Sequence, residues 1–222
     1  NITVEVIARS GAQVKFAAID RLGENVTAYI SRRGKLGNDA SIDWAIGVMN
    51  EGNVVADFDS DLIGNGSHAD LKAVALSSGR QVQGIDTRVT NYGCNSIGNI
   101  LQHGVILEKA TLTFNGIGHI IKGAKGADAQ QESRVLMLSD QARSDANPIL
   151  LIDENDVTAG HAASIGQVDP EDMYYLMSRG LDKATAERLV VRGFLGSVIV
   201  EIPVKEVRDE MIATIEEKLS KR

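Results

Sequence analysis

Hydrophobic and polar residues alternate in short segments from Ile2 to about Ala162, and Gly, Asn, Asp or Ser separate these segments. Val14, Phe16 and Ala18, for example, alternate with Gln13, Lys15 and Ala17. A period of two is the pattern of a β-strand with one buried face. The other positions are often charged or polar, so we expect one side of each strand to face solvent.

Many short strands at even spacing are compatible with a sandwich, a barrel or a solenoid. Hairpin signals of the Asn-Gly type are sparse and occur at Asn65-Gly66 and Asn115-Gly116. Tight corners are more frequent and favour a β-solenoid, in which each turn buries its inner side chains against the next. The pattern alone leaves a β-sandwich about as well supported. The corners are Ser10-Gly11, Leu22-Gly23, Asn50-Glu51-Gly52 and Ser78-Gly79.

The pattern changes to helix after Gly166. Asp169 is the expected N-cap of a first helix, because Pro170 follows it at the first helical position and acidic residues occupy the first turn. This helix, Pro170–Arg179, is expected to end at Gly180.

Two further helices are predicted. Asp182 is the expected cap of the second, and Gly193 either ends this helix or interrupts a longer one that reaches Ile202. Pro203 is expected to open a final amphipathic helix with apolar residues at helical spacing. The sequence therefore predicts a β core over residues 1–166 and a small C-terminal α-helical subdomain over residues 167–222.

Composition narrows the function classes. The net charge of −7 argues against a general nucleic-acid binder, because phosphate contacts need clustered Lys and Arg. No apolar run reaches the roughly 18 residues of a membrane span. A single cysteine excludes an internal disulfide, and the start carries no signal-peptide pattern, so we expect a cytoplasmic protein. The chain begins at Asn1 within a strand pattern, and we expect it to be a fragment of a longer protein.

Few residues stand out as chemical groups. Cys94, His68, His103 and His119 lack partner spacing and are interpreted as structural. The acidic turn Asp153–Asp156 is interpreted as a solvated turn. An alternative is a polysaccharide-active enzyme on a β-helix, which would need paired carboxylates across a groove. Aromatics are only 4% of the chain, which argues against this alternative because sugar grooves usually offer stacking rings.

Four long segments of the chain carry a family resemblance: Gly64–Gly93, Lys125–Pro148, Asn147–Leu181 and Lys183–Leu195. They resemble the SufB/SufD family of iron–sulfur cluster assembly proteins. The resemblance implies a right-handed parallel β-helix followed by a C-terminal helical subdomain, and it implies a non-catalytic scaffold in a SufBCD complex. SufB would pair with the β-helix, and the ATPase SufC would dock on the helices through Met173, Tyr174, Tyr175 and Arg179.

Within the family, two departures favour the SufD type over the cluster-bearing SufB type, which remains the alternative. SufB-like members carry a cysteine where this chain has Ala142–Pro148, and they read E-H-E-A-T-T-S around Gly160–Ser164. By resemblance, His161 is a candidate iron or cluster ligand at the SufB interface. Some SufD-type members have a cysteine where Ala159 stands here. Because that position supplies no thiol, we expect no cofactor bound stably by this chain alone and a transient iron–sulfur cluster in the complex. A terminal β-helix edge is an unpaired template for another strand, so we also expect a homodimer in isolation.

Overall fold

The computed structural model describes residues 1–200, 202 and 204–220, in which twelve β-strands precede three α-helices. The strands are β1 Ile2–Ala8, β2 Gln13–Asp20, β3 Thr27–Leu36, β4 Ser41–Val48, β5 Asn53–Leu62, β6 His68–Ser77, β7 Val82–Asn91, β8 Ile97–Ile106, β9 Thr111–Ile120, β10 Asp128–Met137, β11 Arg143–Ile152 and β12 Thr158–Gln167. The helices are α1 Pro170–Ser178, α2 Lys183–Ile199 and α3 Lys205–Ser220.

The strands form two parallel sheets of six strands each. Sheet 1 has the order β1-β3-β5-β7-β9-β11, and sheet 2 has the order β12-β10-β8-β6-β4-β2. Because the chain alternates between the sheets, every turn adds one strand to each. The result is a parallel β-solenoid of about six turns. The prediction of a β-solenoid core followed by helices is confirmed, and the sandwich alternative is wrong.

The interior of the solenoid is built from columns of stacked side chains. Ile30, Ala56, Ile85 and Phe114 are successive register partners in sheet 1, and each is fully buried. Such stacking removes apolar surface from water, which stabilises the fold by about 25 cal/mol per Å² of surface buried. Trp44 fills the interior from sheet 2. Its buried indole N–H has a partner there, because Nε1 donates a hydrogen bond to Ser60 Oγ at 3.0 Å.

The predicted corners do connect strands, and one row of corners depends on left-handed backbone. Asp39, Gly66, Asn95 and Gly126 have φ values between 53° and 70°. A Cβ on Gly66 would lie 2.5 Å from Asp39 Oδ1. The Asp39 side chain therefore occupies the space that a side chain at Gly66, in the next turn, would need. Asn65-Gly66 is therefore a solenoid corner.

The second hairpin signal was misleading. Asn115-Gly116 lies inside β9, and no hairpin forms there. A Cβ on Gly116 would lie 2.6 Å from the Gln131 side-chain oxygen, so this glycine leaves room for an interior glutamine. The glycine thus serves close packing and not a turn.

The expectation that one side of every strand faces solvent is wrong for the C-terminal parts of β4, β6 and β8 in sheet 2, whose outer face α2 and α3 cover. Ala45, Val74 and Val105 on this face are buried in one cluster with helix residues. A sheet buried on both faces reads as a continuous apolar run, as Ala73–Leu76 does. The helix residues of this cluster include Val191, Leu195, Val198, Met211, Ile215 and Leu219.

The first two helices begin at the positions that the sequence predicts. Asp169 and Asp182 cap α1 and α2, since their carboxylates accept the backbone N–H groups of Glu171 and Thr185, at 2.8 Å each. α2 continues through Gly193 to Ile199. The described part of the third helix begins at Lys205, and the predicted opening at Pro203 lies outside the described residues.

Candidate assembly interface at the C-terminal end of the solenoid

β11 and β12 form the terminal edge, our name for the open C-terminal end of the two sheets. Each strand is hydrogen-bonded on one side only, to β9 and β10 respectively. Every residue of β12 is exposed except Gly160, which is half-buried. Such an edge presents a row of unpaired N–H and C=O groups, which is a template for another strand.

The register identifies which β12 groups point outward along this edge. The N–H of Thr158 bonds to Ala127 O at 2.9 Å, toward β10. Hydrogen-bonding direction alternates along a strand. The N–H and C=O groups of Ala159, His161 and Ala163 therefore point to the free edge.

His161 stands at the end of an interior column. Its register partner in β10 is Gln131, whose partner in β8 is Ile100. Parallel partners project to the same face, so the histidine occupies an interior position. It is exposed because no further turn stacks on it. Among the described residues, no group of three or more His, Cys, Asp or Glu side chains could hold a metal ion, so His161 does not belong to a metal-ligand cluster within this part of the chain.

The interior becomes polar directly beneath His161. Gln131 is 6% exposed, and its amide crosses the interior to donate a hydrogen bond to Ile149 O of β11 at 2.9 Å. Gln102 accepts a hydrogen bond from Ser133 at 2.7 Å. The Gln131 carboxamide thus ties sheet 2 to the last strand of sheet 1. The sequence analysis missed this layer, although the spacing of about one solenoid turn from Gln131 to His161 is a signal for it.

The acidic turn before β12 is not simply solvated. Glu154 is 6% exposed, and its carboxylate accepts N–H groups from Asn155 at 2.8 Å and Gly123 at 3.0 Å. These backbone hydrogen bonds, and the Lys122 ammonium at 3.6 Å, lower the pKa of Glu154 to about 2. Glu154 therefore caps the last corner, and the solvated-turn interpretation is wrong for this residue.

The other histidines have partners within the chain. His119 lies 3.0 Å from Asp153, and the His68 ring hydrogen-bonds Asp70 at 3.0 Å, which raises the pKa of His68. His103 is buried under α2, and its pKa is lowered chiefly by that burial.

Cys94 is half-buried at a corner between β7 and β8. Its backbone N–H bonds to Asn65 Oδ1 at 2.9 Å, and its thiol donates to Gly123 O at 3.3 Å. The contacts tie this corner to those of the two adjacent turns.

α1 presents an exposed aromatic surface next to the terminal edge. Tyr174 is 75% exposed and Tyr175 57%. The Arg179 guanidinium lies 5.0 Å from the Tyr175 ring centroid and donates to its hydroxyl at 3.2 Å. Met173 is half-buried on another side of the helix, and α1 buries no residue completely. Three of the four predicted docking residues are therefore accessible, and Met173 is partly so.

Comparison with known proteins identifies the family to which the chain belongs. Residues 1–194 match the family model described as the SufBD core domain of the SUF system for FeS cluster assembly, so the chain belongs to this family of iron–sulfur cluster assembly proteins. The chain is 50% identical to the iron-sulfur cluster assembly protein SufD of Bacillus subtilis over 220 residues, 99% of the chain. This similarity supports a SufD-type protein.

More distant relatives agree with the family assignment. An iron-sulfur cluster assembly SufBD family protein of Mycobacterium tuberculosis is 32% identical over 228 residues, 97% of the chain. One from Mycobacterium leprae is 29% identical over 204 residues, 91% of the chain. The chain spans 50%, 56% and 23% of the lengths of the Bacillus, M. tuberculosis and M. leprae relatives. No helix in the described part of the chain is long and apolar enough to cross a membrane.

Proposed function

We propose that this chain is a non-catalytic scaffold subunit of a SufBCD complex, in which it pairs with SufB through the terminal edge. The observation that carries the proposal is the open end itself, where β11 and β12 each offer an unpaired edge. Pairing with another solenoid would satisfy these backbone groups and cover Ile152 and Ile165, which stand at interior positions and are 41% and 40% exposed. The same edge would drive homodimerisation when SufB is absent.

His161 is proposed to take part in cluster assembly at this interface. Neutral imidazole is a competent iron ligand, and an iron–sulfur cluster also needs thiolates. Because Ala159 supplies no thiol and Cys94 lies at a corner two turns before β12, the thiolates would come from SufB. The cluster is the cargo of the complex, so we expect its binding by this chain alone to be weak.

The helices are proposed to dock the ATPase SufC. Exposed Tyr174 and Tyr175 and the Arg179 guanidinium are the residue types that carry most binding energy in protein interfaces. ATP hydrolysis would belong to SufC, which would move the helices and so remodel the terminal edge. We place this assembly in the cytoplasm, because it requires thiols that remain reduced.

The test is co-purification of the full-length protein with SufB and SufC, comparing wild type with His161→Ala. We expect the complex to form in both, with the iron–sulfur absorbance lost in the variant. Ser164→Ala is the matched control, since Ser164 is exposed on the opposite face of the same strand. Unchanged cluster yield in His161→Ala would make this histidine structural. Failure of the wild-type protein to bind SufB would contradict the scaffold proposal.

A further inference from the structure

The five methionines of the chain fall into two groups. Met49 and Met211 are 1% and 0% exposed in the cluster between sheet 2 and the helices. Met137, Met173 and Met177 instead line one cavity of about 440 Å³, where the corner after β10 faces α1 and the start of α2. Met177 is 45% exposed, and Met137 and Met173 are half-buried. Three thioethers therefore share one solvent-accessible space.

This cavity lies where α1 meets the rest of the molecule. Met173 and Met177 are one helical turn apart, so they project from the same face of α1. The helix buries no residue completely, and only Met173 and Leu176 are even half-buried. The attachment of α1 thus depends on the partly buried Met173 and Leu176, and the exposed Met177 lies beside Met173 on the same face.

The cavity also contains polar groups that would admit a polar oxidant. Lys183 and Gln167 line it together with the thioethers. Their donors already have partners, because Gln167 Nε2 donates to Asp140 Oδ1 at 2.9 Å and the Lys183 ammonium lies 3.8 Å from Glu187 Oε1. The lining is therefore polar enough to admit a peroxide, and its donors are already engaged with acidic side chains.

We propose that Met137, Met173 and Met177 form a methionine oxidation site that controls the attachment of α1. The oxidant is a peroxide of the hydrogen peroxide class. One peroxide oxygen forms a bond to the thioether sulfur as the O–O bond breaks. The proton of that oxygen passes to the other oxygen, which leaves as water. Sulfur is oxidised to the sulfoxide, and the peroxide is reduced. The product is polar, so the apolar contact that holds α1 is lost until a methionine sulfoxide reductase restores it.

The first test treats the full-length protein with hydrogen peroxide and follows each methionine by peptide mass spectrometry. We expect Met137, Met173 and Met177 to gain oxygen before Met49 and Met211, which serve as internal controls. Hydrogen exchange of the α1 amides should accelerate in step with oxidation and recover after sulfoxide reductase. Oxidation of all five methionines at one rate, or unchanged α1 exchange in the oxidised protein, would overturn the proposal.

The matched variant is Met137→Leu/Met173→Leu/Met177→Leu, which keeps apolar volume but removes all three sulfur atoms of the site. Peroxide should leave α1 exchange unchanged in this variant, and an acceleration equal to that of wild type would refute the assignment. A further consequence, which rests on the proposed function, is that SufC should bind the oxidised wild type roughly tenfold more weakly, the effect of losing one apolar contact. If reduced protein does not bind SufC, the docking proposal fails while the exchange result still decides the oxidation site.

Discussion

Asp20 and Arg32 form a buried ion pair inside the first turns of the solenoid. The guanidinium donates two hydrogen bonds to the carboxylate, at 2.6 and 2.8 Å, and both side chains are less than 10% exposed. The Arg32 guanidinium also lies 5.4 Å from the Phe58 ring centroid and 6.0 Å from that of Phe16. The ion pair lies among aromatic side chains away from solvent, so each charge is neutralised by the other.

Asp20→Asn should destabilise the protein by about 3 to 5 kcal/mol, because a buried guanidinium loses its counter-charge. The double variant Asp20→Leu/Arg32→Met should recover most of this loss, since apolar residues of similar volume remove both charges. Urea denaturation of the three proteins measures the free energy of unfolding. A double variant as unstable as Asp20→Asn would contradict the explanation.

Glu154 should make stability depend on pH in the acid range. Its pKa is about 2 in the folded protein against the usual 4.5, so the folded state favours the carboxylate. This stabilisation is complete above pH 4.5 and is lost as the pH falls toward 2. Glu154→Gln should therefore be less stable than wild type at neutral pH, with a difference that shrinks across this range.

The control for Glu154 is Asp156→Asn, which removes an exposed carboxylate of the same turn. Thermal unfolding at a series of pH values compares the three proteins. If Glu154→Gln and wild type differ by a constant amount from neutral pH down to pH 2, the capping role is wrong.

The contact between α2 and sheet 2 is the main attachment of the helical layer, and His103 lies within it. Its ring stacks on Phe194 of α2 with centroids 5.1 Å apart, and its Nε2 lies 3.2 Å from Glu132 Oε1. Burial lowers the pKa of His103, and the nearby Arg134 acts in the same direction, whereas Glu132 opposes it. The neutral ring is therefore the form that α2 covers.

Because the folded state disfavours the charged ring, the contribution of His103 is present above pH 6.5 and is lost as the pH falls below that value. His103→Phe should remove this dependence while keeping the stack on Phe194. The free energy of unfolding should fall more steeply for wild type than for the variant between pH 7 and pH 5. If the free energy of unfolding changes with pH equally in the two proteins, the packing of α2 does not depend on the protonation of His103.

Periodicity and capping allowed most elements to be predicted from the sequence, because these signals are local. The period of two indicated the strands, and Asp169 and Asp182 indicated the helix starts. Gly116 misled the analysis, since its role depends on Gln131 from the opposite sheet. The cap made by Glu154 also depends on Gly123 from the preceding turn, so local spacing could not predict it.

At the scale of the whole molecule, pattern alone did not separate a solenoid from a sandwich, because both need short half-buried strands. The family resemblance resolved that choice. Neither pattern nor resemblance indicated that α2 and α3 cover sheet 2, although Ala73–Leu76 carried the signal of a strand buried on both faces. The division into residues 1–166 and 167–222 stays a prediction, and the helices share a hydrophobic cluster with sheet 2.

The central claim is that the terminal edge pairs with SufB, and Ala163→Pro tests it most directly. The N–H of Ala163 points to the free edge, so proline removes a donor available to a partner while the ladder to β10 remains. Ala163→Val is the matched control, because it adds similar bulk and keeps the N–H. The measurement is the affinity of full-length protein for SufB, with urea denaturation confirming that both variants fold. We predict that Ala163→Pro abolishes or strongly weakens binding and that Ala163→Val retains it. Equal binding by a folded Ala163→Pro variant would contradict edge pairing.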